Sequence, residues 1–443
     1  MYFIYRILTA ASMIFLAPYY ALRAWRRGEG FDRWGERLGR LPAEITQRAT
    51  AGPSEVGAIW IHAVSVGEIL AAKPLAKRLH DRFAPCRLFV STTTETGQRL
   101  ARQRLAFVDG IFYFPLDSVV PVRRALRAIR PRLVIVMETE IWPNFLREAR
   151  RQAVPVIFAN ARISERSFAR YRRWQFLIGP FFSRVLADAE LFLAQTQDDA
   201  ARLAEMGAPE DRIEVTGNLK YDSDEPEIGR FGAWLKEEIT RQERWPVIVA
   251  GSVVQDEEEA VLAGYDIVQR RWRRALLILA PRKPDQFDQA VAVAGGGGWQ
   301  VVRRSRLHLD VPLDETADVL VLDTIGELAG LYPLADAVFI GGSLVPAGGH
   351  NLLEPAWFRK PPVFGPSMEN FRDMATEFLN SRAAVEVTSG QQLGKVWVQL
   401  IEDSGLRERM GRAARELSER NRGATLLSVE RIASVLGRRE PSA

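Results

Sequence analysis

Residues 132–161 read RLVIVMETEIWPNFLREARRQAVPVIFANA. The run RLVIVMET is apolar without alternation, which predicts a strand covered on both faces. NFLREARRQ (144–152) has helical spacing, and VPVIFANA (154–161) is a second unbroken apolar run. Strand, helix and strand in this order form a βαβ unit, whose strands lie parallel in one sheet. The alternation extends outward from there. Upstream stand VGAIWIHA (56–63), the helical ILAAKPLAKRLHDRF (69–83), RLFVSTTT (87–94), ETGQRLARQRL (95–105), IFYFPLD (111–117) and VPVRRALRAIR (120–130). Downstream, LFLAQT (191–196) and IEVTGN (213–218) add two strands, and the pattern stops near Tyr221.

Residues 222–244 are polar and carry no strand; they read as a linker with a surface helix. The alternation restarts with WPVIVAGS (245–252) and the helical DEEEAVLAGYDIVQRRW (256–272). It continues through ALLILAPR, DQFDQAVAVAG, WQVVRR, DVLVLDT, a predicted helix IGELAGLYPLA (325–335), AVFIGGS, a predicted helix HNLLEPAWFR (350–359), PPVFG and a long helical close. The expected organisation is residues 1–40 as anchor and basic juxtamembrane segment, 41–222 as a first α/β domain, 223–244 as linker, and 245–443 as a second α/β domain with a closing C-terminal helix. In parallel sheets, ligands bind beyond the carboxyl ends of the strands, so two such sheets facing each other predict a shared cleft.

Composition narrows the partners. The 443 residues are 47% hydrophobic and 26% charged, which excludes a disordered, collagen-like or polytopic membrane protein. The net charge of +5 favours an anionic partner but is small for nucleic acid, and no nucleic-acid motif is present. A single cysteine, Cys86, excludes an internal disulfide, and His62, His80, His308 and His350 are too scattered to form a metal cluster. Residues 7–24, ILTAASMIFLAPYYALRA, are apolar but for Arg23, at the lower edge of a helical membrane span. Arg26, Arg27, Arg33, Arg37 and Arg40 follow, against Glu29, Asp32 and Glu36. That asymmetry predicts an uncleaved single-pass anchor with the catalytic domains on the cytoplasmic side, in preference to an in-plane amphipathic helix or a cleaved signal.

The motifs stand at strand ends. Glu68, in HAVSVGE (62–68), lands in the first turn of a helix after the first strand; alone, it either stabilises the helix start or serves as a general base. Glu138 and Glu140 end the RLVIVM strand, one expected to pair with an arginine and the other to be solvated unless the two line a cleft. Lys220 follows IEVTGN and reads as a surface or cleft lysine. In the second half, Gly251-Ser252, Pro281-Arg282-Lys283, Asp323 through Glu327, Gly341-Gly342-Ser343 and Gly348 through Pro355 all follow strands. The backbone N–H groups and hydroxyl at Gly251-Ser252 and the cations of Arg282 and Lys283 suit a phosphate, and Glu354, one turn from Asn351, suits a ribose diol. This reads as a nucleotide-binding domain. No G-x-G-x-x-G or G-x-x-x-x-G-K-[ST] follows a strand, so a dinucleotide dehydrogenase or P-loop NTPase is disfavoured. Asp222-Ser-Asp224 is formally an acidic pair for a divalent metal, set aside because it lies in the linker. Residues 147–182 interleave Arg147, Arg150, Arg151, Arg162, Arg166, Arg170, Arg172 and Arg173 with Phe168, Tyr171, Trp174, Phe176, Phe181 and Phe182. They read either as a lipid-facing surface or as a solvated helix with its aromatics in the core.

Taken together, RWGERLGR (33–40), HAVSVGE, STTTETG (91–97), METEIWPN (137–144), NARIS (160–164), GNLKYD (217–222), AGS (250–252), APRKP (280–284), DTIGEL (323–328) and GGHNLLEP (348–355) are similar to the bacterial 3-deoxy-D-manno-oct-2-ulosonic acid (Kdo) transferases over almost the whole chain. The resemblance implies a GT-B architecture of two Rossmann-like domains facing a cleft. It implies transfer of Kdo from its cytidine monophosphate ester, CMP-Kdo, to the lipid A precursor lipid IVA at the inner membrane, inverting and metal-independent. No cofactor is implied, CMP-Kdo being the donor substrate, and no obligate protein partner. Glu68 matches the family's general base, and Glu138 and Lys220 match residues that support the transition state. Ser252, Pro281, Arg282, Ile325, Gly326, Glu327, Asn351, Leu352, Leu353 and Glu354 match donor-binding stretches. Lys283 stands where many relatives carry histidine. The alternatives are a GT-B transferase or epimerase using a uridine diphosphate sugar, and a non-catalytic membrane-tethered binder of anionic lipid.

Overall fold

The computed structural model describes residues 2–7, 9, 32–51, 57–222 and 225–437. The chain divides into two compact units, Met1–Ser223 with Asn421–Ala443, and Asp224–Arg420. The apolar stretch 7–24, read as the anchor, lies almost wholly outside the described residues.

The first unit is built on seven parallel strands: β1 (Ala58–His62), β2 (Arg87–Thr92), β3 (Gly110–Tyr113), β4 (Pro131–Met137), β5 (Val156–Ala161), β6 (Leu191–Ala194) and β7 (Ile213–Val215), in the order β3-β2-β1-β4-β5-β6-β7. Alternate residues feed two cores. Trp60, Phe89, Phe112, Val134 and Phe158 pack on one face, and Ile61, Val90, Leu133, Ile135 and Ile157 on the other. Both faces are buried, which is why these strands read as unbroken apolar runs. The order reverses between β1 and β4, the switch point at which parallel sheets open a crevice at their carboxyl ends.

The second unit repeats the plan with β8 (Val247–Val253), β9 (Leu276–Pro281), β10 (Val301–Arg303), β11 (Val319–Val321), β12 (Ala337–Ile340), β13 (Pro362–Phe364) and β14 (Val385–Glu386), in the order β10-β11-β9-β8-β12-β13-β14. Its switch point lies between β8 and β12. All pairings in both sheets are parallel, as the alternation predicts.

Four local expectations are corrected. The predicted helix 325–335 is a 3-10 stretch, Leu328–Leu334, because Pro333 lies within it and cannot donate to an α-helical ladder. The predicted helix 350–359 shrinks to one α-turn, Leu353–Ala356. The surface helix expected within the linker forms, as Arg230–Arg241, but it buries Phe231 and Leu235 in the second unit. The C-terminal helix Ala424–Gly437 does not close the second domain. Its Val429, Ile432, Val435 and Leu436 join the first unit's core with Ala72, Leu75 and Leu79. Each such side chain contributes about 1.5–3 kcal/mol on full burial. The carboxylate of Asp222 accepts from Gly423 N (2.6 Å) and from Thr425 N at this helix start, so the acid set aside as a metal ligand is a capping group.

The extreme N-terminus is also docked, where the sequence placed the amino terminus apart from the globular fold. The Tyr2 hydroxyl donates to Asp188 (2.8 Å), the Tyr5 hydroxyl to Asp117 (2.8 Å), and Arg6 pairs with buried Glu148 (2.7 Å). The residues beyond the apolar stretch bind the same unit. Glu36 accepts from Tyr113 N (2.6 Å), and the Arg37 guanidinium donates to Thr93 O (2.7 Å).

Candidate active site

Two clusters of functional side chains stand at the two switch points, one in each unit. In the first unit, Ser65 has the extended conformation of an N-cap, and its hydroxyl accepts from Glu68 N (3.4 Å) at the start of α1 (Val66–Arg82). The same hydroxyl donates to Glu68 Oε1 (2.9 Å), while Val64 N donates to Oε2 (2.8 Å). This is a capping box shifted by one residue. It leaves Glu68 only 6% exposed. Burial, then the charge of Glu138, raises its pKa to about 7, against the pull of its two donors. Of the two readings left open by the sequence, the helix-start role is seen directly, and the carboxyl's pKa is raised towards neutrality.

Glu138 follows β4 at a φ of +53°, a left-handed conformation that costs a non-glycine residue about 1–3 kcal/mol. Its Oε1 lies 3.4 Å from Lys220 Nζ. The partner expected for one of the two strand-end carboxylates was an arginine; the structure supplies the lysine from 82 positions later. Glu140, raised by burial and by Glu138, stands beside them. Lys220 rides on a 3-10 turn, Leu219–Asp222, held by Asn160, whose Oδ1 accepts from Leu219 N (2.9 Å). Asn160 is fully buried with φ +58°. Sequence reasoning gave it no role, although a polar residue inside the apolar run VPVIFANA was a signal. His62 is a core residue: it stacks on Phe114 (3.8 Å between centroids), bonds Ser91, and is held neutral by burial, its pKa down at about 3.

In the second unit a pocket of about 410 Å³ opens at the switch point. Residues 254–256 form one wall and 345–347 the other, with Arg282, Lys283 and His350 contributing polar lining. Burial and the nearby Arg282 charge lower the His350 pKa to about 4, so its imidazole is neutral at pH 7. Its buried Nε2 has no hydrogen-bond partner among the described residues. Asn351 bonds Glu354, whose carboxyl is raised by burial against the pull of Asn351 and Arg282, so these two share one turn as expected. Ser252 sits at φ +56° where the β8–β9 register shifts.

Most of the other expected contacts are buried or already paired. Leu352 and Leu353 are fully buried and Pro281 is buried, so they offer no side-chain surface. Ile325 is 67% exposed beside Gly326 at φ +95°, on an open turn. Glu327 is held by Arg304 in a two-point ion pair (2.9 and 3.1 Å), and the Arg304 guanidinium lies 4.0 Å over the Phe231 ring. Asp323 is spent on Arg303 and Ser305. The N–H groups of Gly342 and Ser343, at another of these strand ends, donate to Glu257.

The basic, aromatic stretch splits. Helix α2 (Glu165–Leu186) buries Tyr171 and packs Phe168, Phe181 and Phe182 on the core, while Trp174, Phe176 (94%) and Leu177 are exposed among exposed Arg166, Arg170, Arg172 and Arg173. Arg147 and Arg150 are instead paired with buried Asp188. No described helix is long and apolar enough to cross a membrane.

Comparison with known proteins shows the family and the fold. The family profile described as 3-deoxy-D-manno-octulosonic-acid transferase matches residues 32–223. A 3-deoxy-D-manno-octulosonic acid transferase of Haemophilus influenzae is 34% identical over 83% of this chain and 84% of its own. That of Bordetella pertussis is 33% identical over 95% of this chain and 97% of its own. A crystal structure of a putative UDP-N-acetylglucosamine 2-epimerase from Listeria monocytogenes covers 87% of this chain and 98% of its own with a TM-score of 0.56. At 13% identity it shows the fold alone, two Rossmann-like sheets of the GT-B kind.

The buried Glu68 carboxyl generates a stability prediction. Its folded pKa of about 7 lies above the ordinary 4.5, so the folded chain binds the extra proton between those values. The contribution is complete below pH 4.5 and is lost as pH rises through 7. Chemical denaturation should show wild type losing on the order of 3 kcal/mol relative to Glu68→Gln across that window. Parallel pH profiles for the two proteins would mean that the carboxyl titrates normally.

Proposed function

Because the chain belongs to the 3-deoxy-D-manno-octulosonic-acid transferase family, we propose that it is a glycosyltransferase that moves Kdo from CMP-Kdo to a sugar hydroxyl of lipid IVA. The observation that carries the chemistry is the buried Glu68, a carboxyl with a pKa of about 7 beside the Glu138–Lys220 pair. A base titrating near the operating pH is both deprotonated often enough and basic enough to take the acceptor's proton. The acceptor oxygen bonds the Kdo anomeric carbon as the bond to the phosphate breaks, and the electron pair leaves with cytidine monophosphate. Attack on the face opposite the leaving group inverts the centre. The Glu138 carboxylate meets the positive charge that develops on the sugar, and Lys220 fixes that carboxylate in place. Arg282 and Lys283 at the pocket of the second unit meet the phosphate, while Glu354 and Asn351 suit the ribose hydroxyls. The leaving phosphate needs no proton, so one base suffices, and the phosphate charge is met by side chains with no call for a metal.

The decisive test is acceptor mass after incubation with CMP-Kdo and lipid IVA. Wild type should add whole Kdo units, and Glu68→Gln should slow the reaction by about 10²- to 10⁴-fold while retaining cytidine monophosphate binding. An equally active variant would remove Glu68 from the base role. No acceptor shift from a folded wild type that binds the nucleotide would overturn the acceptor.

The same reading places the protein at the inner membrane, on the nucleotide side. The exposed Trp174, Phe176 and Leu177 among arginines suit the acyl chains and anionic headgroups that accompany the acceptor. Flotation with anionic vesicles should fall by about tenfold when these three residues are replaced by alanine together; unchanged flotation would assign the helix to solvent. Both flanks of the apolar stretch, Tyr2 to Arg6 and Glu36 to Arg37, bind the first unit. A single pass would put the first flank across the bilayer from that unit. The docking of both flanks on one unit therefore argues against a single pass. Phe3→Cys provides the test, since Phe3 is exposed and the native Cys86 is buried. An impermeant maleimide should label it only in vesicles whose cytoplasmic face is outward; labelling from the opposite face would restore the single pass.

A further inference from the structure

Glu257 is the residue that the reaction chemistry leaves without a task, and it is entirely buried. Its carboxylate gathers four backbone donors. Gly342 N (2.6 Å) and Val254 N (3.1 Å) reach Oε2, and Ser343 N (2.8 Å) and Leu344 N (2.7 Å) reach Oε1. Three consecutive N–H groups converging on one anion form a nest, the arrangement by which loops elsewhere hold phosphate. Here the anion is part of the chain. No lysine or arginine pairs with Glu257 among the described residues, so backbone dipoles alone meet its charge.

The donors come from both sides of the pocket. Val254 begins the wall 254–256, and Leu344 leads into the wall 345–347. One carboxylate therefore ties the two walls together and sets the width between them. The tie extends to His350. Gly342 has φ +67°, and a side chain at that position would come within 2.9 Å of His350 Nε2. Gly349 N donates to Gly342 O (2.7 Å), so the turn that Glu257 holds also seats the start of the Asn351–Glu354 segment.

We propose that Glu257 is a positioning residue for the donor: it fills the nest after β12 with an internal anion, fixes the pocket's walls, and so leaves the donor's phosphate to Arg282 and Lys283. The proposal rests on the reading that the second unit binds the cytidine nucleotide. The alternative is that the same N–H groups bind the phosphate directly.

Amide hydrogen exchange on the wild-type protein, with cytidine monophosphate as probe, separates the two. The amides of Gly342, Ser343 and Leu344 should already exchange as slowly as those of β12 in the free protein. Added nucleotide should slow exchange at 254–256 and 345–350 and leave 342–344 unchanged. Fast exchange at 342–344 that slows only with nucleotide would overturn the proposal, because the nest would then be the donor's. Nucleotide that slows exchange nowhere in residues 225–420 would overturn the donor reading, and the proposal with it. In kinetics, Glu257→Gln loses acceptor capacity at one of its two positions. Its KM for CMP-Kdo should rise about tenfold or more, with kcat and the acceptor KM within about threefold of wild type. Added acetate should partly restore the donor KM of Glu257→Ala by refilling the nest. A folded Glu257→Gln with unchanged donor KM, or equal losses in all three constants, would make Glu257 merely structural.

Discussion

Right-handed crossovers between parallel strands leave one place in each sheet where successive helices depart to opposite faces. In both units the first strand lies at that place, between β2 and β4 in one and between β9 and β12 in the other. The loop that follows each first strand must turn directly into a helix at the mouth of the crevice. Both turns carry a glutamate, Glu68 after β1 and Glu257 after β8, and each reaches back to a backbone N–H that precedes it, of Val64 and Val254.

The two glutamates differ in how burial is compensated. Glu257 receives four backbone N–H groups, two on each oxygen. Glu68 receives one N–H and one hydroxyl and faces the carboxylates of Glu138 and Glu140. Desolvation and like charge outweigh those donors, and the proton stays on to about pH 7. A carboxyl fully satisfied by backbone organises a loop; one left partly unsatisfied beside a carboxylate–lysine pair can exchange a proton. A glutamate at the helix start after the first strand is thus satisfied by backbone in one unit and left partly unsatisfied in the other.

Much of this was legible in the sequence because burial on both faces writes itself as unbroken apolar runs. β1, β4, β5, β8, β9 and β12 follow from that signal alone. The losses have physical causes. Pro333 turns an apolar, helix-like run into a 3-10 stretch. The apolar face of residues 424–437 carries no mark of which core it joins; Asp222 at its start, Glu214 paired with Arg431 and Thr216 bonded to Ser428 tie it to the first unit from about 200 positions away. Glu138 and Lys220 stand far apart in the chain, and no spacing rule joins them; similarity to a family pointed to both, and Asn160 holds the turn that brings them together. Glu257 lies in Asp256-Glu257-Glu258-Glu259, which reads as a solvated charge run at a helix start. Its burial becomes visible only when β12 is placed beside β8.

The central claim is that a carboxyl held protonated by burial becomes the base once it ionises. The pH dependence of Kdo transfer in single turnovers, with donor saturating, tests it most directly. The rate should climb about tenfold per pH unit on the acid side and level above a midpoint near 7, the value burial gives Glu68. A rate that is flat from about pH 5 to 9, or that breaks only near the ordinary carboxyl value, would contradict it.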